Sequence, residues 1–406
     1  MQKTPALYFI LATLLIDAIG IGLVFPIMPD LMVRVGAGDT GQGSVWGGVL
    51  MAAYAGAQFL FAPAVGSLSD AIGRKPVLLA AMALLALDYV IMALAGTFAW
   101  LLIGRLMAGM AGATYITATA YIADISKPTE RAASFGLIGA AFGIGFVLGP
   151  AIGGLAATVH VTAPFWLAAA LSAVNVVFGL IVLPESLPKE RRRPFGRRDI
   201  NPFGAIGDAF RVPGLAIPLI CIFVFEFANM VYPALWAFWT EEVFGWDALL
   251  RGLTLALYGV LVALVQGVIM PQAIRRFGEH GTIMLALVVA LVGAIGFGFT
   301  GSVLGLVIFL ALASLSDLAP PTLTAIAANR VAEDRQGLVQ GVIASLGSIA
   351  AVVAPILMTL LFQIFVAPET GIYMPGAPFL FAALLIAAIL PLAWRMGRAE
   401  KARTAA

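Results

Sequence analysis

The chain is expected to be an all-α integral membrane protein, with twelve transmembrane helices in two six-helix, pseudo-symmetric bundles. Three observations carry this expectation. The residues are 62% hydrophobic and only 11% charged, where a soluble chain would carry about a quarter charged residues, and the mean hydropathy is +1.03. Apolar runs of about 20 residues, the length at which a helix crosses hydrocarbon, follow one another almost end to end. The basic residues then alternate. Of 23 Lys and Arg, 20 fall on one side when the loops are assigned in turn; Arg34 and Arg251 lie opposite, and Arg105 lies inside a run. The positive-inside rule puts both termini and the central loop in the cytoplasm. The runs are continuously apolar instead of alternating, which selects helices over a barrel.

The twelve runs fall at roughly 6–27, 45–68, 76–95, 98–122, 134–157, 163–184, 213–240, 249–272, 281–300, 302–326, 337–366 and 376–396. The first is no cleaved signal peptide: it lacks a small-residue cleavage site, carries Asp17 and precedes eleven more spans. Between the second and third spans stands Gly66-Ser-Leu-Ser-Asp70-Ala-Ile-Gly73-Arg74-Lys75-Pro76. Its glycines permit a tight turn, and Asp70 and Arg74 are spaced to pair or to meet neighbouring helix ends. A merely basic turn is the plainer alternative. Asp124 and Arg131 flank the next loop on the same side and are grouped with this one. The fourth span holds Gly104-Arg105 followed by Gly109 and Gly112. An arginine cannot shed its proton, so inside a membrane it needs a carboxylate, carbonyls or water; snorkelling to the interface is the competing explanation. The fifth span carries Gly139, Gly143, Gly145, Gly149, Pro150, Gly153 and Gly154. Small residues every three or four positions permit close helix packing, and the proline permits a bend. Gly143-Ile-Gly145 follows no strand, so a dinucleotide-binding reading fails.

The longest polar stretch, rich in Pro and Arg, divides the chain into a six-span bundle at 1–184, a cytoplasmic central loop at 185–212, and a second six-span bundle with a short cytoplasmic tail at 213–406. Arg191, Arg192, Arg193, Arg197 and Arg198 in that loop read as a stop-transfer cluster, with anionic lipid as an alternative contact. A cryptic repeat supports the division. Ile122 to Arg131, then Gly136 and Pro150, answers Asn329 to Arg335, then Gly341 and Pro355; glycine to proline is 14 residues in both, at an offset of 205.

Five ionisable side chains lie inside the apolar runs: Asp17, Asp88, Arg105, Glu226 and Asp317. Each costs roughly 2.5–3.5 kcal/mol even on the lenient insertion scale, and such residues usually face a bundle interior and mark an ion or substrate path. Asp17, beside Gly20-Ile-Gly22 and before Pro26, is the first candidate for proton coupling. Glu226, followed by Asn229 and Tyr232, is the second. Asp317 precedes Pro320-Pro321, where a broken helix leaves carbonyls free. Asp88 is either a further coupling acid or the structural partner of Arg105. Desolvation brings a carboxylate's titration toward neutrality, so alternating exposure lets such a group take a proton on one side and give it up on the other. A group merely buried and hydrogen-bonded is the alternative for each. Tyr54, Gln58, Tyr121, Asn229, Tyr232 and Trp236 are candidates for the substrate pocket, aromatic and amide groups that suit a planar polar molecule. Trp46, Trp100, Trp166, Trp239, Trp246 and Trp394, near span ends, are assigned to interfacial belts.

The loop signature between spans two and three, the arginine and glycines of span four, and Gly149-Pro150-Ala-Ile-Gly153-Gly154 in span five together resemble the major facilitator superfamily, the last motif its drug/proton antiporters. Leu15-Ile-Asp17-Ala-Ile-Gly20-Ile-Gly22-Leu-Val-Phe-Pro26-Ile-Met-Pro29, Leu87-Asp88-Tyr89, Gly112-Ala-Thr, Ile122-Ala-Asp124 and Phe244-Gly-Trp246 resemble the tetracycline/proton antiporters, across nearly the whole chain and more densely in its first half. The resemblance implies a major facilitator fold and export of a drug across a bacterial inner membrane in exchange for protons. It implies that the acids at Asp17 and Asp88 are essential, that Asp70 and Arg74 gate, and that Gln58 lies near the substrate path. One departure stands out: those exporters carry an acid in span nine, whereas Met284 to Phe299 here holds no charge. Either Glu226 or Asp317 has taken over that role, or the substrate has changed, which favours a multidrug or otherwise different substrate over strict tetracycline export. A metabolite facilitator or proton symporter is the alternative on the same fold. A non-transporting receptor would be expected to add a soluble sensory domain.

The net charge of +2 is explained by topology and points to no nucleic acid. Lone Cys221 excludes an internal disulfide, and His160 and His280 fall in loops on opposite sides, so no metal site is expected. No Ser–His–Asp set, metal cluster or nucleotide-binding loop suggests an enzyme, and ATP drive is excluded with the P-loop. The expected partners are a small-molecule drug, protons and membrane lipids, with the chain acting as a monomer. No cofactor is expected beyond the coupling proton, and the resemblance allows for a substrate that arrives as a magnesium chelate.

Overall fold

The computed structural model describes residues 5–112, 114–126, 130–195, 210–212, 214–331, 336–368 and 371–404, and among them there is no strand. The first unit is made from α1 (Pro5–Val24), most of α2 (Thr40–Ile72), α3 (Arg74–Leu94), α4 (Phe98–Ala111, resuming as Thr114–Ile125), α5 (Arg131–Ala157) and α6 (Ala163–Val182). The second contains α7 (Ala216–Asn229, resuming as Val231–Phe244), the last two turns of α8 (Ala248–Leu264), α9 (Met270–Phe299), α10 (Val303–Ser316, resuming as Ala319–Ala328), α11 (Gln336–Val366) and α12 (Ala377–Thr404). The first compact unit comprises Met1–Gly38, Leu50–Pro202 and Trp246–Leu257; the second comprises Asp39–Val49, Phe203–Gly245 and Tyr258–Ala406. Each unit thus includes one short helical stretch whose sequence lies in the other half.

Among the described residues, eleven helical runs are long and apolar enough to cross a membrane, and the longest, Ala248–Phe299 at 52 residues, is long enough for two spans. The run passes from α8 through a π-helical turn at Val265–Ile269 into α9. Gly278, at φ 67° and ψ 176°, breaks it, a conformation open to glycine alone at little cost. Other interruptions follow the prolines. Pro233 cannot donate to the carbonyl four residues back, and α7 pauses at Met230. Pro320-Pro321 likewise leave Ser316 and Asp317 without helical donors, and α10 breaks there, with Asp317 as C-cap.

The helices sort their faces by burial. On α6, Val174, Val177, Phe178 and Ile181 are exposed, whereas Ala168, Ala169, Ser172, Asn175 and Gly179 are buried. An apolar stripe turned outward at helical spacing is what lipid requires. Asn175 meets Thr13 across helices, its Nδ2 donating to Oγ1 at 3.1 Å. The first unit's core gathers Phe9, Ile10, Leu14, Leu78, Met82, Tyr121 and Ile122. The second packs Trp236, Trp239, Phe297 and Phe379 in edge-to-face and tilted pairs at centroid separations of 5.3–6.0 Å. Trp239 is 1% exposed. It is therefore a core residue and not part of an interfacial belt, because its position on α7 turns it toward α9 and α12. Trp100, Trp166 and Trp394 are about half exposed and remain compatible with a belt.

The cryptic repeat has a structural counterpart. In the first unit, a Cβ on Gly252 of α8 would overlap the carbonyl oxygen of Pro150. In the second, a Cβ on Gly48 of α2 would lie 2.9 Å from the carbonyl oxygen of Pro355. Pro150 and Pro355 are the two repeat prolines, so each copy receives a glycine of a neighbouring helix against its kinked backbone.

Candidate functional site

A cavity of about 400 Å³ opens within the first unit, lined by α1, α2, α3, α4 and α5. Its polar wall is Asp17, Tyr54, Gln58, Tyr89, Arg105 and Tyr115; Leu14, Ile21, Leu85 and Phe142 supply apolar wall. Glycines leave room for Tyr54, Gln58 and Tyr89. A Cβ on Gly20 would overlap the Tyr89 ring, one on Gly109 would overlap the Tyr54 carbonyl, and one on Gly112 would crowd Gln58 and Tyr54. Gly20 and Gly22 are both helical, and they allow close approach, Gly20 to Tyr89 and Gly22 to Pro150.

The two aspartates of this unit stand in different situations. Asp88 is fully buried and forms an ion pair with Arg105, which is 8% exposed. The second carboxylate oxygen of Asp88 and Nε of Arg105 have no hydrogen-bond partner. Gly104 makes room for the pair, since a Cβ there would come within 2.6 Å of Asp88 Oδ1. The guanidinium also lies 5.8 Å from the centroid of the Tyr54 ring. Asp17 lines the cavity and has no ion pair among the described residues. Gln58 is held by α4, its Nε2 donating to the Gly112 carbonyl at 3.2 Å. Tyr121 stands apart from the cavity, 0% exposed in the first unit's core and donating to the Pro184 carbonyl at 2.8 Å.

In the second unit, Tyr258 of α8 donates to Asp317 Oδ2 at 2.6 Å. Sequence reasoning passed over Tyr258, because nothing in an apolar run tells which tyrosine will meet an acid 59 residues later. Glu226 lies half-buried on α7. Tyr232 packs on Phe297 and Phe379, and Trp236 is 3% exposed in the same aromatic core, while Asn229 ends the first part of α7.

The loop between α2 and α3 forms a clasp. Arg74 reaches Asp70 Oδ1 at 2.6 Å and Asp124 Oδ2 at 3.2 Å, and donates to Ser69 Oγ at 2.6 Å. Ser69 in turn donates to the Gly66 carbonyl at 2.8 Å. Gly73 takes φ 113° and ψ 159°, outside the reach of other residues without strain. Arg131 opens α5, and its side chain lies outside the described residues, as do Lys127, Arg197, Arg198 and Arg335.

The glycine motif of α5 works on two faces. Cβ atoms on Gly145, Gly149 and Gly153 would each come within 2.6 Å of a backbone oxygen of α1, at Leu15, Ile19 and Leu23. On the other face, Pro150 and Gly154 receive Gly252 and Ala248 of α8. Arg251 secures that contact. Only 2% exposed, it donates from Nη1 to the Pro26 carbonyl at 3.0 Å and from Nε to the Trp246 carbonyl at 2.9 Å, and lies 3.1 Å from Asp30 Oδ2. Its place among the few basic residues opposite the majority was the signal that marked it.

Comparison with known proteins agrees with this geometry. A family model described as Major Facilitator Superfamily matches residues 10–355. The tetracycline resistance protein, class C, of Escherichia coli is 38% identical over 89% of this chain and 91% of its own. The class H protein of Pasteurella multocida is 30% identical over 94% and 95% respectively. Among solved structures, the human organic anion transporter MFSD10 (TETRAN) is similar at 25% identity and a TM-score of 0.71, covering 96% of this chain and all of that one. The nucleoside transporter NupG, at 13% identity and a TM-score of 0.75 over 97% of this chain and 99% of its own, shares the fold alone.

Proposed function

The chain belongs to the major facilitator superfamily, and from that premise we propose that it is a proton-coupled antiporter that exports a drug-like molecule, tetracycline or a related cationic or multidrug substrate, by alternating access. One observation carries the reading: one cavity holds Asp17, an acid with no ion pair among the described residues, and the arginine of an already neutralised pair, Arg105 with Asp88. The pair leaves Arg105 no net charge to neutralise Asp17, so Asp17 keeps its capacity to take up either a proton or a cation. A carboxyl group out of water holds its proton toward neutrality, and a site that faces first one side and then the other converts that affinity into exchange. A cationic substrate, or a cationic magnesium chelate, that competes with the proton for Asp17 then leaves as the proton enters. Tyr54, Gln58 and Tyr89 supply aromatic faces and an amide beside the acid. In the second unit Asp317, held by Tyr258, and Glu226 are the candidate replacements for the acid that α9 lacks. The positive side of the loops puts both termini in the cytoplasm of a bacterial inner-membrane protein, acting as a monomer.

The chargeless stretch of α9 favours a second reading, in which the mechanism is retained and the substrate has changed. Everted membrane vesicles with an imposed pH gradient distinguish the two. Tetracycline with magnesium should collapse the gradient in vesicles carrying the protein and not in empty ones. A response only to other cationic or lipophilic compounds supports the changed substrate, and no response across the panel contradicts antiport.

A further inference from the structure

The start of α3 is capped by a residue from the far end of the unit. The first N–H groups of any helix lack intrahelical acceptors, and a Ser, Thr, Asp or Asn just before the helix ordinarily supplies one. Here the preceding residue is Gly73, which has no side chain. Glu185, just beyond α6, takes its place: Oε1 accepts from the backbone N of Arg74 at 2.8 Å and Oε2 from that of Lys75 at 3.3 Å. A Cβ on Gly73 would overlap this carboxylate, so the glycine is needed for space as well as for its positive φ. Oε1 also accepts from the N of Leu187 at 3.0 Å, which fixes the acid to its own chain. The residues that follow keep to the same loop. Ser186 donates to Asp124 Oδ2 at 3.1 Å, the oxygen that also receives Arg74 Nε. Arg192 lies 3.9 Å from Glu185 Oε2, and the backbone N of Arg193 donates to the Asp70 carbonyl at 3.1 Å.

We propose that Glu185, Ser186, Arg192 and Arg193 form a strap that belongs to the gating clasp, with Glu185 as the positioning residue that holds the backbone of Arg74 so that its guanidinium spans Asp70 and Asp124. The beginning of the central segment is then a working part of the gate. Arg192 serves that contact through its side chain and Arg193 through its backbone N–H. A carboxylate is the group suited to this place, since two oxygens answer two adjacent N–H groups at the positive end of a helix.

The strap predicts effects on the rate of the cycle and not on substrate recognition, because none of its residues lines the cavity around Asp17. Only this transport arm rests on the antiporter reading. Full-length Glu185→Ala, Glu185→Gln, Glu185→Asp and, as a neighbouring acid outside the contacts, Glu190→Gln would be compared by amide hydrogen exchange and by transport in everted vesicles. Exchange of the Arg74 and Lys75 amides should rise about five- to tenfold in Glu185→Ala, the loss of about one hydrogen bond, with the interior of α3 unchanged and Glu185→Gln in between. Maximal transport of whichever compound collapses the wild-type gradient should fall several-fold in Glu185→Ala with KM unchanged, Glu185→Asp should recover part of it, and Glu190→Gln should match wild type. Unchanged exchange at Arg74 and Lys75 would overturn the cap, and a loss carried by KM or shared by Glu190→Gln would overturn the positioning role. Wild-type vesicles silent to every compound would instead overturn the antiporter reading, and the exchange measurement would still decide the strap.

Discussion

Asp17 and Asp88 are both aspartates in apolar helices, yet one faces a cavity unpaired and the other is sealed against Arg105. Removing one member of a buried pair strands the other, which costs about 3–5 kcal/mol. Asp88→Asn and Arg105→Met should therefore each lower the thermal unfolding temperature of the purified protein strongly, and the double substitution should lower it less than the two effects added. Additive losses would show that the pair is not coupled. Gly104→Ala should press on Asp88 and cost about 1–3 kcal/mol as overpacking, read in the same melt. Sequence alone singled out all five embedded charges, because charge is costly in hydrocarbon. It left open whether Asp88 pairs with Arg105, since the two sit on different helices and only the packing of α3 on α4 decides it. Glu185 escaped notice for a related reason: an acid in a largely basic stretch looks like any solvated residue until the chain is folded back on Gly73.

The glycines of α5 illustrate what spacing can and cannot tell. Gly145, Gly149 and Gly153 recur every four residues, which announces a close-packed helix face, but not that the partner is α1. A side chain at any of them must push the two backbones apart. Gly149→Val is expected to abolish transport while the protein still inserts, as read by vesicle flux against expression level; normal flux would contradict the backbone contact. Arg251 is the matching case for α8. Arg251→Met leaves the Pro26 and Trp246 carbonyls without their donor and should cost about 2–3 kcal/mol, two to three modest hydrogen bonds, in a thermal melt. The proline break in α10 was legible, because a missing N–H has one consequence in a helix; the pause in α7 before Pro233 follows the same rule but was not drawn from the sequence. The π-helical turn at Val265–Ile269 was not legible, whereas the join expected between spans eight and nine contains Gly278, where the helical backbone breaks.

At the scale of the molecule, twelve spans were readable because hydrocarbon admits so few ways of crossing it, and the 205-residue repeat led to paired prolines that play the same structural part. The membership of Asp39–Val49 and Trp246–Leu257 was not readable, since the apolar pattern of a span does not say which neighbours its two ends choose. The repeat makes a prediction of its own: Gly48→Val and Gly252→Val should impair transport to a similar degree in vesicle flux, and sensitivity at only one of them would break the equivalence. The account as a whole rests on Asp17 exchanging its proton for substrate. The most direct test compares Asp17→Asn with wild type in two assays on the same vesicles, proton-driven drug uptake and drug–drug exchange without a gradient. Loss of proton-driven uptake with exchange retained is the predicted result, because the neutral amide preserves the cavity and removes the titrating group. Full proton-driven uptake by Asp17→Asn would contradict the account.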